Sequence, residues 1–199
     1  MLNLSPFLES TEIIDWTHPL VRSKASELAQ GVDQPLEIAR RCFEWVRDNI
    51  QHSSDFQRNP VTCTASEVLV HRTGYCYAKS HLLAALLRAN GLPAGFCYQR
   101  LSVNDTGAPF CLHGLNAVYL TDFGWYRIDS RGNKPGVDAQ FAPPVEQLAF
   151  RLNLPEERTF PEILAKPLPV VIEALRRYST WDELLRNLPD WEGEQLPTE

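Results

Sequence analysis

The sequence predicts an α+β domain: helices first, a central helix packed against an antiparallel β-sheet, then a proline-rich arm with two more helices. Three observations carry this reading. Cys76 is followed by Ala78, Leu82, Leu83, Leu86 and Leu87. These apolar positions recur at a 3.6-residue period, so residues 76 to about 90 form a helix with a buried stripe. Gly91 and Pro93 end it, as a C′ glycine with a proline just beyond. Three β-rich runs then follow, residues 94–103, 113–120 and 125–129, separated by turn-forming stretches at 104–109 and 121–124. From about 137 onward, prolines 143, 144, 155, 161, 167 and 169 interrupt every periodic segment. An extended arm wrapped on the domain accommodates such a run.

Along the chain, residues 11–16 read as a short strand. Thr17-His18-Pro19 marks entry to a helix, with Pro19 in its first turn, running to about Gln30 and stopping at Gly31. Asp33 and Pro35 open a second helix through about Asn49, in which Ile38, Cys42, Trp45, Val46 and Ile50 give one apolar face. Cys42 is a core residue on that face. Residues 51–63 are a polar loop. Thr64 with Glu67 matches a capping box and starts a short helix over 65–71 that carries Val68 and Leu69. Residues 71–75 turn the chain into Cys76, with Gly74 permitting an approach that a side chain would block. After the strands, 131–136 form a loop, and a fourth or fifth strand is expected within 1–16 or 137–150. Residues 169–178 and 180–188 are helices. Thr180 and Glu183 cap the second, Trp181, Leu184 and Leu185 dock it, and the acidic end frays. The whole reads as one domain, 1–199, with its core motifs in 60–135 and the arm and terminal helices in 137–199.

The totals exclude several function classes. With a formal net charge of −6 and a pI of about 5.4 there is no basic excess, which argues against a nucleic-acid partner. The five cysteines are odd in number and form no CxxC pair, so neither a zinc ribbon nor a redox dithiol is suggested. Reduced thiols in a cytoplasmic protein are the expectation. No signal peptide and no membrane-spanning apolar run are visible. No cofactor is implied, and no acidic cluster has calcium-loop spacing. The oligomeric state is left open.

The chemistry centres on Cys76. A helix N-terminus carries partial positive charge and unpaired N–H groups, and both favour a thiolate, the nucleophilic form. Such a cysteine needs a histidine to manage its proton and a third group to orient that histidine. His113 begins one strand and Asp129 ends the next, so both lie at one end of a hairpin. Their side chains share a face only if the connecting loop holds three or five residues or a bulge intervenes; a four-residue loop would separate them. Taken singly, each residue has an ordinary explanation: inert packing for Cys76, a satisfied core histidine for His113, a turn former for Asp129. His18, His52, His71 and His81 read as surface or local-structural residues, and Cys97 and Cys111 as packing. A zinc site could be assembled on paper from Cys63, His71, Cys76 and His113, but its spacing fits no ligand pattern. Arg72, Arg127 and Arg131 would suit a substrate carboxylate or phosphate if they converge. Tyr75, Tyr77 and Trp125 are candidates to wall a substrate cleft.

Three blocks together resemble the transglutaminase-like superfamily, a branch of the papain-like cysteine enzymes: Gly74-Tyr75-Cys76 with the exit Leu86-Leu87-Arg88-Ala89-Asn90-Gly91-Leu92-Pro93-Ala94, His113 with Asn116-Ala117-Val118-Tyr119-Leu120, and Gly124-Trp125-Tyr126-Arg127-Ile128-Asp129. The similarity spans roughly 60–135. It implies a cysteine-protease-like fold, with Cys76 as nucleophile, His113 as general base and acid, and Asp129 as the group that orients His113. Leu115 stands where members commonly carry tryptophan, and Ser130 where many carry proline. The resemblance implies attack on a peptide, amide or other acyl substrate through a thioester. Release goes to water in a hydrolase of the peptidase or amidase kind, or to an amine in a transferase of the transglutaminase or arylamine acetyltransferase kind. A non-catalytic binding module on the same fold is the third reading. An oxyanion hole built on the Cys76 N–H needs a second donor, and Asn49, Gln51, His52 and Gln57 are upstream candidates.

Overall fold

The computed structural model describes residues 2–197. Helices α1 (Pro19–Ala29), α2 (Pro35–Asn49) and α3 (Ala65–His71) form where the proline entries and the Thr64/Glu67 capping box place them. Two short strands, β1 (Gln51–His52) and β2 (Thr73–Gly74), pair in parallel on either side of α3 and lead into α4 (Cys76–Ala89). The chain then lays down β3 (Ala94–Ser102), β4 (Phe110–Leu120) and β5 (Gly124–Ile128). The arm contributes a hairpin, β6 (Gln140–Ala142) with β7 (Val145–Gln147), and β8 (Arg158–Thr159). Helices α5 (Pro169–Arg177) and α6 (Trp181–Leu185) follow. The main sheet has the order β5-β4-β3-β8 and is antiparallel throughout.

Four expectations need correction. Residues 11–16 form bends, not a strand. The Thr11 hydroxyl accepts the Ile14 N–H at 3.0 Å, and the turn itself buries Ile13 and Ile14. The fourth strand of the main sheet is β8, from 158–159, while 137–150 yields a separate two-stranded hairpin. Strand β4 starts at Phe110, so His113 lies inside the strand rather than at its start. The acidic end does not fray over 189–197: the Pro189 carbonyl accepts the Leu112 N–H at 2.7 Å, Asp190 takes Arg100 at 2.6 and 2.8 Å, and Leu196 is buried. Residues 198–199 lie outside the described residues.

Helix α4 is buried on every side from Cys76 to Arg88, not along one stripe. Helices α1, α2 and α3 cover one side and strands β3 and β4 the other. Enclosure traps polar side chains, and unpaired buried polar groups cost free energy. Backbone carbonyls meet that need for Lys79 and Arg88, while His81 Nε2 has no partner among the described residues. Lys79 Nζ donates to Ile50 O at 2.5 Å and Arg47 O at 3.3 Å. Arg88 donates to the carbonyls of Glu9, Ala94 and Ala165 at 2.7–3.1 Å. Among the described residues no helix is long and apolar enough to cross a membrane.

Candidate active site

Cys76 is the first residue of α4, behind Tyr75, an extended N-cap residue that makes no side-chain cap hydrogen bond. The first-turn N–H groups are therefore not taken up by a capping side chain. Two glycines allow the approach that places this turn. A Cβ at Gly74 would lie 3.1 Å from the Ala78 Cβ and 3.3 Å from the Thr62 hydroxyl oxygen. A Cβ at Gly114, beside His113, would lie 3.0 Å from the Tyr77 ring and 3.3 Å from its Cα. Strand β4 thus receives the helix start against bare backbone.

The β4–β5 register pairs Leu120 with Gly124 and Asn116 with Ile128, leaving a three-residue loop. Odd-numbered residues of the two strands then share a face, and His113 and Asp129 are both odd. The result is direct: His113 Nε2 lies 2.7 Å from Asp129 Oδ2, and both groups are buried. Asp129 is held in turn by two backbone donors, Arg131 N on Oδ1 and Ala149 N on Oδ2, each at 3.1 Å. The Phe150 ring meets the imidazole edge-on at 4.9 Å between centroids. With Nε2 engaged, Nδ1 is the ring nitrogen left for the thiol.

Burial is the largest single influence on His113 and opposes its protonation. The Asp129 carboxylate, the Cys76 thiol and the hydrogen bond to Asp129 outweigh it and push the imidazole up to about 10. Burial likewise raises Asp129, but His113 and the two backbone N–H groups more than offset it, and the carboxyl stays below its ordinary range. The two directions agree: this pair is charged near neutral pH. The thiol perturbs the ring without reaching full hydrogen-bond geometry, which is looser than the ring–carboxylate bond and common before a substrate is bound.

Cys76, His113, Tyr75 and Tyr77 line a cleft of about 930 Å³. Residues 134–138 and 147–151 of the arm form part of its wall, with Leu185 and Leu188 on the C-terminal segment. Both tyrosines offer ring surface only, since their hydroxyls are spent on carbonyls, Tyr75 on Trp181 and Tyr77 on Leu112. Trp125 needs correction. It does not border the cleft but packs against Phe7 and Tyr119, because its register position opposite Tyr119 carries it away from the site. The three arginines do not converge. Arg72 stacks on Trp45, Arg127 pairs with Glu146 at 3.0 Å, and Arg131 is clamped by Asp55 at 2.5 and 3.0 Å. Ala149 and Phe150 had no legible signal, since one acts through its backbone and the other through packing that the arm alone creates. His52 also reaches the cleft, carried there by the pairing of His52 with Gly74.

Comparison with known proteins agrees with this architecture. A family model described as the transglutaminase-like superfamily, Transglut_core, matches residues 22–130. Among solved structures, a candidate cysteine protease from Cytophaga hutchinsonii is similar at 18% identity and a TM-score of 0.52, over 65% of this chain and 42% of that one. The periplasmic domain of TgpA from Pseudomonas aeruginosa is similar at 20% identity and a TM-score of 0.45, over 62% and 45%. A candidate protease from Parabacteroides distasonis is similar at 13% identity and a TM-score of 0.44, over 78% and 31%. This chain therefore spans less than half the length of these structures. No curated protein matches.

Proposed function

Because the chain belongs to the transglutaminase-like superfamily of papain-like cysteine enzymes, we propose that it is a thiol hydrolase of the peptidase or amidase kind. Cys76 is the nucleophile, His113 the general base and acid, and Asp129 the orienting group. The observation that supports this most is the buried 2.7 Å His113–Asp129 contact bordering the cleft that Cys76 enters from a helix N-terminus. Cys76 reacts as the thiolate, its proton held on the His113 imidazolium that Asp129 stabilises. The thiolate attacks the acyl carbon and the carbonyl π pair moves onto oxygen. Collapse re-forms the carbonyl and expels the leaving group, which takes its proton from His113. Water, deprotonated by His113, then cleaves the thioester and frees Cys76. The arm along the cleft supports small or chain-terminal acyl groups as substrates.

The test is the mass of the protein after incubation with a library of peptides and acyl metabolites. An adduct on wild type that is absent from Cys76→Ala, and that is discharged by water alone, is the expected result. Discharge only when a primary amine is added would replace hydrolysis with acyl transfer. No adduct from any library member, together with Cys76 alkylation no faster than that of free cysteine, would remove the enzymatic reading.

A further inference from the structure

We propose that His52 donates the second hydrogen bond of the oxyanion hole, from its Nε2–H, alongside the Cys76 backbone N–H. This rests on the thiol-hydrolase reading and assigns a catalytic residue within it. An acyl-transfer site with one donor is incomplete, because the tetrahedral intermediate concentrates a full charge on one oxygen. Of the four upstream candidates, Gln51 and Gln57 are exposed and Asn49 spends its amide on the Trp45 carbonyl; only His52 borders the cleft.

Position comes from the fold. The parallel pairing of β1 with β2 sets His52 opposite Gly74, two residues before the nucleophile, and the Ser53 N–H donates to the Gly74 carbonyl at 3.1 Å to lock that register. The His52 ring meets the Tyr75 ring edge-on at 5.4 Å, which fixes its plane. Orientation comes from the ring nitrogens. Nδ1 lies 3.1 Å from the Ser54 hydroxyl and 3.9 Å from Asp55 Oδ2. Arg131 and Lys134 engage that carboxylate, and the Ser54 hydroxyl can donate to Nδ1 and so keep the ring proton on Nε2. Nε2 has no hydrogen-bond partner among the described residues, yet it is not one of the fully buried polar atoms left without one. It therefore faces open space, and the open space this ring borders is the cleft.

Charge fits the task. Burial, then Arg131, Lys79 and His113, hold His52 well below the ordinary imidazole range despite Asp55 nearby. It is a neutral donor at working pH. A second imidazolium facing His113 would compete for the proton that His113 must carry, and a neutral N–H does not. As the thiolate bonds to the acyl carbon and the C=O pair shifts to oxygen, His52 donates a hydrogen bond and transfers no proton. On collapse the pair returns and the bond relaxes.

The experiment compares two reactions of the same thiol. Acylation by p-nitrophenyl acetate passes through an oxyanion, and alkylation by iodoacetamide does not. His52→Phe should lower the acylation rate constant about 100- to 1,000-fold and leave Cys76 alkylation within about threefold of wild type. His52→Gln, which restores an N–H, should recover acylation to within about tenfold of wild type. Equal loss of both reactions in His52→Phe would overturn the assignment, as would unchanged acylation, or a His52→Gln variant as slow as His52→Phe. Failure of the underlying reading looks different: wild-type Cys76 itself would then alkylate no faster than free cysteine.

Discussion

The two ends of helix α4 handle charge in opposite ways. At its start, the first-turn N–H groups are left without a side-chain cap and Cys76 faces a cleft. At its end, Arg88 closes the last turn, buried, with its N–H groups divided among carbonyls from the N-terminal segment, the start of β3 and the C-terminal arm. A cation suits a helix C-terminus and an anion suits its N-terminus. The C-terminal cation is supplied by the sequence and consumed by the fold. At the N-terminus no side chain supplies the matching charge, and Cys76 stands there near the charged His113–Asp129 pair. The difference teaches that satisfied charge holds this protein together while the uncapped helix end is where chemistry is possible.

The largest break in this comparison is at the reactive end. Cys76→Ala should abolish acyl-enzyme formation outright, read by intact-protein mass, with urea stability changed by no more than about 1 kcal/mol. Asp129→Asn comes next. It leaves the ring misoriented and the imidazolium unsupported, and should slow acylation by on the order of a hundred- to ten-thousand-fold, followed as p-nitrophenolate release. At the sealed end the expected loss is of stability rather than rate. Arg88→Leu strands the carbonyls of Glu9, Ala94 and Ala165 and should cost about 3 kcal/mol in urea unfolding. The rate per folded molecule should stay at the wild-type value.

The smallest effect separates two buried cations. The folded protein holds the His113 proton to about 10 while an unfolded imidazole loses it near 6.5, so this group's stabilisation is lost as pH rises between those values. Burial, then Arg131, lowers Lys79 to about 7 from 10.5, so the folded state releases its proton first and gains stability as pH rises through that window. The slopes oppose each other. Lys79→Met removes the rising one, and between pH 7 and 8.5 the variant should lose stability relative to wild type by on the order of 1 kcal/mol per pH unit. Parallel urea midpoints for the two proteins across that range would contradict the assignment.

Much of the architecture was legible from local signals. Thr64 with Glu67 encoded a capping box, and the Glu67 carboxylate indeed accepts the Cys63 and Thr64 N–H groups at 2.8 and 3.0 Å. Pro19, Pro35 and Pro169 each opened a helix, because a fixed φ and a missing N–H suit a first turn. The loop between β4 and β5 was legible only as a condition. Parity demanded an odd length, but a run of Thr121-Asp122-Phe123-Gly124 does not say whether Gly124 turns or pairs. In the structure it pairs with Leu120 at a φ of +72°, which glycine adopts without strain. Residues 11–16 misled because the adjacent β-branched pair Ile13-Ile14 fits a strand and a buried bend equally well.

The sequence by itself determined the helix starts and stops, the three central strands, and the residue types on which a thiol mechanism would draw, since caps, prolines and side-chain periodicity act within a few residues. Only the tertiary structure decided which of those residues meet. It spent Arg131 on Asp55, set Trp125 at the turn end of the hairpin, and brought His52 and the Ala149 N–H to the site from segments 24 residues before and 73 residues after Cys76. Contacts of that kind are fixed by strand register and by the folding of the arm onto the sheet. Such non-local packing leaves no periodic trace in the chain.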